Sequence, residues 1–304
     1  MSPIERPIFV IGTGRSGLSP LMDLVSYHPS LGWPNNWHHR LPARIGTAAT
    51  LARVHDMPVL GPWLKFRKRV PEHSEAWKMW SRLYPGFVEP GRDLVASDAT
   101  PALKQTFRSA VSRILHGQNK TRFIAELSGW SRVRFLRQIF PDAQFVHIVR
   151  DGRAVANSLT NVGYWRGWEG PQAWRWGPLP PADHDAYERY DRAPLGLAGL
   201  QWKLLIKNIV GQLEQLPSAD ALQLRYEDLV AQPERVALAI SNFCKLDVDA
   251  PGYREHVHHV ASERIVNANA VTMRIPSWRK NMSQDQVAML DDLLGTELKL
   301  HGYL

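Results

Sequence analysis

The chain has 304 residues, with 37 Lys and Arg against 29 Asp and Glu, a formal net charge of +8, and a single cysteine. That length can bury a full core, and the basic excess favours anionic ligands. The basic residues are dispersed rather than gathered in a run, which argues against a nucleic-acid tail or a polybasic membrane patch. Cys244 stands alone, so a disulfide framework and a cysteine-based zinc site are excluded.

The first apolar run, residues 7–12 (PIFVIG), is too short for a signal-peptide core or a membrane span. The expectation is a soluble, cytoplasmic protein of a reducing compartment, without a transmembrane segment. The run reads as a strand, and residues 12–19 (GTGRSGLS) as a loop leading into a helix over 21–26. Residues 33–90, rich in Trp, Pro and His, break the rhythm and read as helical insertions or a cap. Further strands are expected at 93–97 (DLVAS), 122–126 (RFIAE), 144–149 (QFVHIV) and 221–226 (ALQLRY). Several of these runs are continuous rather than alternating, which suits strands buried on both faces of a parallel sheet. Helices are expected at 131–140, with Val133, Leu136 and Phe140 on one face, and at 195–216, 233–243 and 283–300. Residues 164–194 carry Trp165, Trp168, Trp174 and Trp176 among Gly and Pro, and read as a long loop or lid over the sheet edge. The alternation predicts an α/β fold: a doubly wound parallel sheet of about five strands flanked by helices, in one domain over 1–304. The insertions 33–90 and 164–194 would cap the substrate, and such folds bind ligands beyond the carboxyl ends of their strands.

The loop Thr13, Gly14, Arg15, Ser16, Gly17, Leu18 and Ser19 follows a strand and precedes a helix, the context of a phosphate cradle. Glycines let backbone N–H groups converge on an anion, and the helix N-terminus adds its dipole. Pro20 falls in the first helical turn, where its missing N–H costs little. Gly12-x-Gly14-x-x-Gly17 also fits a dinucleotide fingerprint, but residues 32–40 (GWPNNWHHR) hold no acid for a ribose. A Walker A loop needs Lys after its last Gly, where this chain has Leu18, so Arg15 is the one cation in the loop. Neither a dehydrogenase nor an ATPase is the natural reading.

Further along, Arg150 stands at the carboxyl edge of the 144–149 strand, Asp151 is placed to cap the next helix, and Ser158 lies on it. Arg offers a forked donor to a phosphate, and Ser a hydroxyl. Taken with the first loop, this pattern resembles the sulfotransferase family, which uses 3′-phosphoadenosine 5′-phosphosulfate (PAPS). The loop resembles the family's 5′-phosphosulfate loop, except that Leu18 replaces one of two expected hydroxyl residues and Ser19 keeps the other. Arg150 followed by Ser158 resembles the 3′-phosphate motif. Two shorter pieces agree: Tyr226 with Glu227 and Asp228, where the family's Tyr lies near the adenine, and Arg279 with Lys280, like a basic loop that closes on the cofactor.

The resemblance implies a P-loop-like fold and in-line sulfuryl transfer to a hydroxyl or amine, without a metal, leaving adenosine 3′,5′-bisphosphate (PAP). Arg15 would neutralise charge on the leaving oxygens, as in phosphoryl transfer. The family places a His or Glu base on a strand edge before the 3′-phosphate Arg. Glu126 sits at such an edge, within Ala125-Glu126-Leu127-Ser128 rather than the family's Lys-containing string, and Asp98 at another strand end is its rival. Either carboxylate would need burial to raise its pKa. His38-His39 and His256-x-His258-His259 read as surface or interface residues rather than metal ligands. The 12 Trp residues favour an apolar pocket wall, leaving a small-molecule, carbohydrate or lipid acceptor open, and a homodimer as well. The rival classes are a P-loop nucleotide kinase and a non-catalytic nucleotide-binding protein of the same fold.

Overall fold

The computed structural model describes residues 3–57, 71–88, 91–266 and 278–304. Strands β1 (Ile8–Gly12), β2 (Leu31–Gly32), β3 (Arg122–Ser128), β4 (Gln144–Val149) and β5 (Ala221–Arg225) form one sheet in the order β2-β3-β1-β4-β5. Every pairing is parallel. Four of these strands are the runs expected from sequence, with β3 two residues longer at its carboxyl end. The fifth is not. Residues 93–97 form no strand: Asp98 caps the turn Ala96–Asp98 by accepting from Val95 N at 2.7 Å, and the Asp93 carboxylate accepts from Ser131 Oγ and Arg132 N. Side chains that offer the backbone such local bonds compete with a ladder. The sheet edge is taken instead by Leu31 and Gly32, paired with Arg122 and Phe123.

All eleven residues of β1 and β4 are buried, which is why their sequences are apolar apart from Gln144 and His147. Period-two alternation divides them between two cores. Ile8, Val10, Ile124, Val146 and Ile148 pack with Leu21, Met22 and Val25 of helix α1 (Leu18–Val25), and with the helices Pro233–Cys244 and Tyr253–His259. Phe9, Ile11, Phe123, Ala125, Leu127 and Phe145 face the helices Pro101–Gln118 and Val133–Ile139 on the other side. Phe9 anchors this second core, its ring 5.8 Å from Phe145 and 6.1 Å from Phe123. Each fully buried Ile or Phe contributes roughly 1.5–3 kcal/mol, so the sheet is rigid where its strands end. A third core joins helix α2 (Gly152–Leu159) to the long helices Pro194–Leu213 and Gln284–Leu300.

The insertion 33–90 contributes short helices, Asn36–Arg40, Ile45–Leu51 and Trp77–Leu83. His38 is buried rather than exposed: its Nδ1 accepts from Asn35 N at 2.9 Å in a capping box, and burial lowers its pKa to about 4. His256 is buried too, bonded to the Asp23 carbonyl at 2.8 Å. Within 164–194, Trp165 and Trp174 belong to the third core, Trp165 donating to Gln201, whereas Trp168 is exposed. Among the described residues no helix is long and apolar enough to cross a membrane.

Candidate active site

The register of the sheet aligns Gly12 with Ser128 and Val149 with Arg225, so the chain leaves β1, β3, β4 and β5 at one edge. β1 lies between strands reached on opposite sides, which is the crevice where such sheets bind ligands.

After Gly12 the loop turns through Arg15 at φ +68° and Gly17 at φ +102°, and α1 begins at Leu18, earlier than the sequence pattern indicated. Gly17 is required twice over. Its φ suits glycine, and a Cβ there would stand 2.9 Å from Cε2 of Tyr226 and closer still to Cδ2. A Cβ on Gly12 would likewise stand 2.6 Å from Ser16 Oγ and 2.9 Å from the Ile148 carbonyl, while one on Gly14 would meet open space. No acid sits in the first turn of α1, and no side chain caps it. Its amides are therefore left for an anion. Thr13 Oγ1 and Ser16 Oγ are buried with no hydrogen-bond partner among the described residues. Leu18 turns into the core under α1, so the expected hydroxyl at that position is replaced by packing.

The second motif converges on this loop. Arg15 Nε donates to Ser158 Oγ at 2.9 Å, and Arg150 donates through a terminal nitrogen to the Arg15 carbonyl at 3.0 Å. The Arg150 guanidinium lies 4.4 Å over the ring of Tyr226, which is 2 % exposed and braces Gly17 from below. Arg150 makes no ion pair with Asp151. That carboxylate caps α2 and is held by Arg153 at 2.9 and 3.0 Å. Arg153 in turn covers the ring of Trp278, which anchors the short helix Trp278–Asn281 against α2 and leaves Arg279 and Lys280 exposed beside it.

Glu126, 3 % exposed, lies on the β3 face covered by α1. Its Oε2 is 3.5 Å from Ser19 Oγ, and its Oε1 is 2.9 Å from His73 Nδ1. His73 Nε2 is 2.8 Å from Asp23 Oδ1, which Arg264 approaches at 2.9 Å. Burial alone would lower the His73 pKa, but the two carboxylates outweigh it and hold the imidazole at about 10. Beside them the Glu75 carboxylate accepts from Ser128 N at 2.7 Å and Trp77 Nε1 at 2.8 Å. Burial and then Glu126 push Glu75 up to about 7. His73, Asp23 and Glu75 carry no local sequence signal: two come from the insertion and one from the middle of α1.

Asp98 is not brought to this cluster. Arg92 holds both its oxygens at 2.8 Å, which lowers its pKa, and its remaining bond caps its own turn. The lid does reach the edge: the Trp176 ring lies over Gly129, where a Cβ would stand 2.7 Å away, and 6.3 Å from Trp130. Gly129 N donates to the Gly12 carbonyl at 3.0 Å, so this aromatic pair borders the phosphate loop.

Residues 7–250 match the model of the sulfotransferase family. A comparison with curated protein sequences finds no match. Among solved structures, the fold is similar to sulfotransferase STF9 from Mycobacterium avium, with a TM-score of 0.58 and 16% identity over 98% of this chain and 77% of that one. It is also similar to the sulfotransferase domain from the curacin biosynthetic pathway, with a TM-score of 0.52 and 15% identity over 97% and 99% of the two chains. STF1 from Mycobacterium tuberculosis H37Rv gives 0.52 and 16% identity over 91% and 76%. At these identities the likeness bears on the fold, while the family model covers most of the sequence. The protein belongs to the sulfotransferase family.

Proposed function

We propose that the chain transfers a sulfuryl group from PAPS to a hydroxyl or amine of a small-molecule, carbohydrate or lipid acceptor. The observation that carries this reading is the junction of the two motifs, Arg15 bonded to Ser158 and Arg150 bonded to the Arg15 carbonyl. It sets two guanidinium groups and a hydroxyl around one uncapped helix N-terminus, as a nucleotide with two separate phosphates requires. The residues fit such a ligand: the loop is shaped by positive φ, and Thr13 has a buried hydroxyl with no partner among the described residues. Arg150, likewise, pairs with no carboxylate among them. PAPS would supply an activated sulfuryl group on a phosphate leaving group. Thr13, Gly14, Arg15, Ser16, Gly17, Leu18 and Ser19 would hold its 5′ side, through backbone amides and the Arg15 charge. Arg150 and Ser158 would hold the 3′-phosphate, with Tyr226 behind Arg150. Arg279 and Lys280 add positive charge from the helix packed on α2.

Glu126 is the proposed base. It is the carboxylate next to the N-terminal turn of α1, and it would take the acceptor proton as the acceptor oxygen or nitrogen bonds to sulfur. Asp98, neutralised by Arg92 and bonded to its own turn, has no such position. Trp130 and Trp176 would form an apolar wall for the acceptor. Leu18, buried where a kinase has its lysine, favours this reading over a P-loop kinase.

The test is PAP formation from PAPS with a panel of phenolic, carbohydrate and lipid acceptors, without added metal. Acceptor-dependent PAP release that falls at least a hundredfold in Glu126→Gln supports the assignment. Release independent of every acceptor and of Glu126 would overturn it.

A further inference from the structure

We propose that His73 is the positioning residue of the base, holding Glu126 through Oε1 as an imidazolium clamped between Asp23 and Glu126, so that Oε2 is the oxygen left to take the acceptor proton. The inference rests on the reading of Glu126 as the base.

With both flanking carboxylates ionised, the geometry calls for a doubly protonated ring. Both ring nitrogens face carboxylate oxygens, at 2.8 and 2.9 Å, and an ionised carboxylate only accepts. Two acceptors demand two N–H donors. A neutral imidazole in this place would leave one nitrogen lone pair against a buried oxygen, and the ring side chain is 6 % exposed, so no solvent relieves it. The cation also answers a problem that Glu126 poses. A buried carboxylate needs a paired charge, and only a carboxylate, not a carboxylic acid, can accept a proton. The imidazolium supplies the compensating charge, and Arg264 at Asp23 supplies another.

The clamp is also oriented. Ser19 and Asp23 are four residues apart on α1, so they share the helix face turned to β3. His73 is tied in place by backbone bonds on both sides, Asn36 N to the Glu72 carbonyl at 3.0 Å and Ser74 N to the Pro34 carbonyl at 3.0 Å. With Oε1 taken by His73, Oε2 has, among the described residues, only the long contact to Ser19, in the first turn after the phosphate loop. Among the described residues, the groups that face the imidazole are Asp23 from α1, Tyr27 just after that helix, Glu126 from β3, Glu72 and Glu75 from its own segment, and Arg264 through Asp23. Acids dominate, so the imidazolium is stabilised by its surroundings rather than by one partner.

The experiment pairs a spectrum with a pH profile. In the intact, ligand-free protein, imidazole nitrogen NMR should show His73 doubly protonated and unchanged from pH 6 to 8.5, and Glu126→Gln or Asp23→Asn should bring its titration down into that window. His73→Asn keeps a donor on the Glu126 side and removes the charge. With PAPS and a working acceptor, the acidic limb of its turnover should move up by a pH unit or more, about tenfold less rate at pH 6, with PAP affinity within twofold of wild type. A residue with only a structural role would lower the rate equally at every pH. A singly protonated His73 at pH 7, or an acidic limb coincident with wild type, would overturn the proposal. Failure of the underlying reading shows separately, as Glu126→Gln turning over like wild type, and removes the role of His73 with it.

Discussion

Gly17 offers the most direct test of how the phosphate loop is built. Alanine there must hold φ near +102°, and left-handed backbone costs an L-residue roughly 1–2 kcal/mol. The new Cβ would also overlap the edge of the Tyr226 ring, which cannot slide away because it is buried and roofed by Arg150 at 4.4 Å. Overpacking of this kind costs roughly 1–3 kcal/mol, which brings the total to roughly 2–5 kcal/mol. At about 2–4 °C per kcal/mol for chains somewhat shorter than this one, the ligand-free melting temperature should fall by on the order of 5–15 °C. Gly14→Ala is the internal control. It lies in the same loop with nothing within 4 Å of its Cβ and no positive φ. Its melting temperature should stay within about 4 °C of wild type, since a compatible Gly→Ala change is worth only about 0.4–1 kcal/mol through the unfolded chain. Differential scanning calorimetry on the three proteins decides the matter. Equal melting temperatures for Gly17→Ala and Gly14→Ala would refute the claim that Tyr226 braces this turn.

Arg150→Ala should weaken PAP by about 1.5–3 kcal/mol, the range for a hydrogen bond to a charged group, while AMP affinity stays within twofold. Arg150→Met, which keeps the stem against Tyr226, should lose PAP equally, and equal losses of PAP and AMP in both variants would sink the 3′-phosphate assignment. Glu75 gives a signed pH dependence. Its folded pKa is raised to about 7 from 4.5, so the stability it contributes is present below pH 4.5 and lost as pH rises through 7. Glu75→Gln should therefore gain on wild type in melting temperature between pH 5 and pH 8, and a constant difference across that range would contradict the shift. Arg132, almost fully buried, donates to the carbonyls of Phe87, Ser128 and Trp130 and stacks on Phe87 at 4.8 Å. Arg132→Met should cost about 3 kcal/mol or more in urea unfolding, because it strands buried acceptors; a loss below about 1 kcal/mol would show that they find other donors.

The parts of the site visible in the sequence are those where function and local structure coincide. Residues 7–12 and 144–149 read as strands because both faces are buried, and the loop and Arg150 follow directly from their carboxyl ends. Asp98 misled because five residues with three apolar side chains mimic a strand, and nothing local says that Arg92 and Val95 N will claim the carboxylate. The true edge strand, Leu31–Gly32, is two residues long and below the reach of any periodicity. His73 lay in a stretch without strand-helix rhythm, 50 and 53 residues from its two partners, and only the packing of α1 on β3 brings them together. Of the four Trp residues in the lid, two proved to be core, and one, Trp176, reaches the site edge through its contact with Gly129.

The proposed ligand is a nucleotide carrying phosphate at both the 3′ and 5′ positions. Titration calorimetry of the wild-type protein, without magnesium, against PAP, AMP, ATP and NAD⁺ tests it most directly. PAP should bind at least tenfold more tightly than any of the others, because only PAP would engage Arg15 and Arg150 together. Equal affinity for PAP and AMP, or a preference for ATP or NAD⁺, would contradict it.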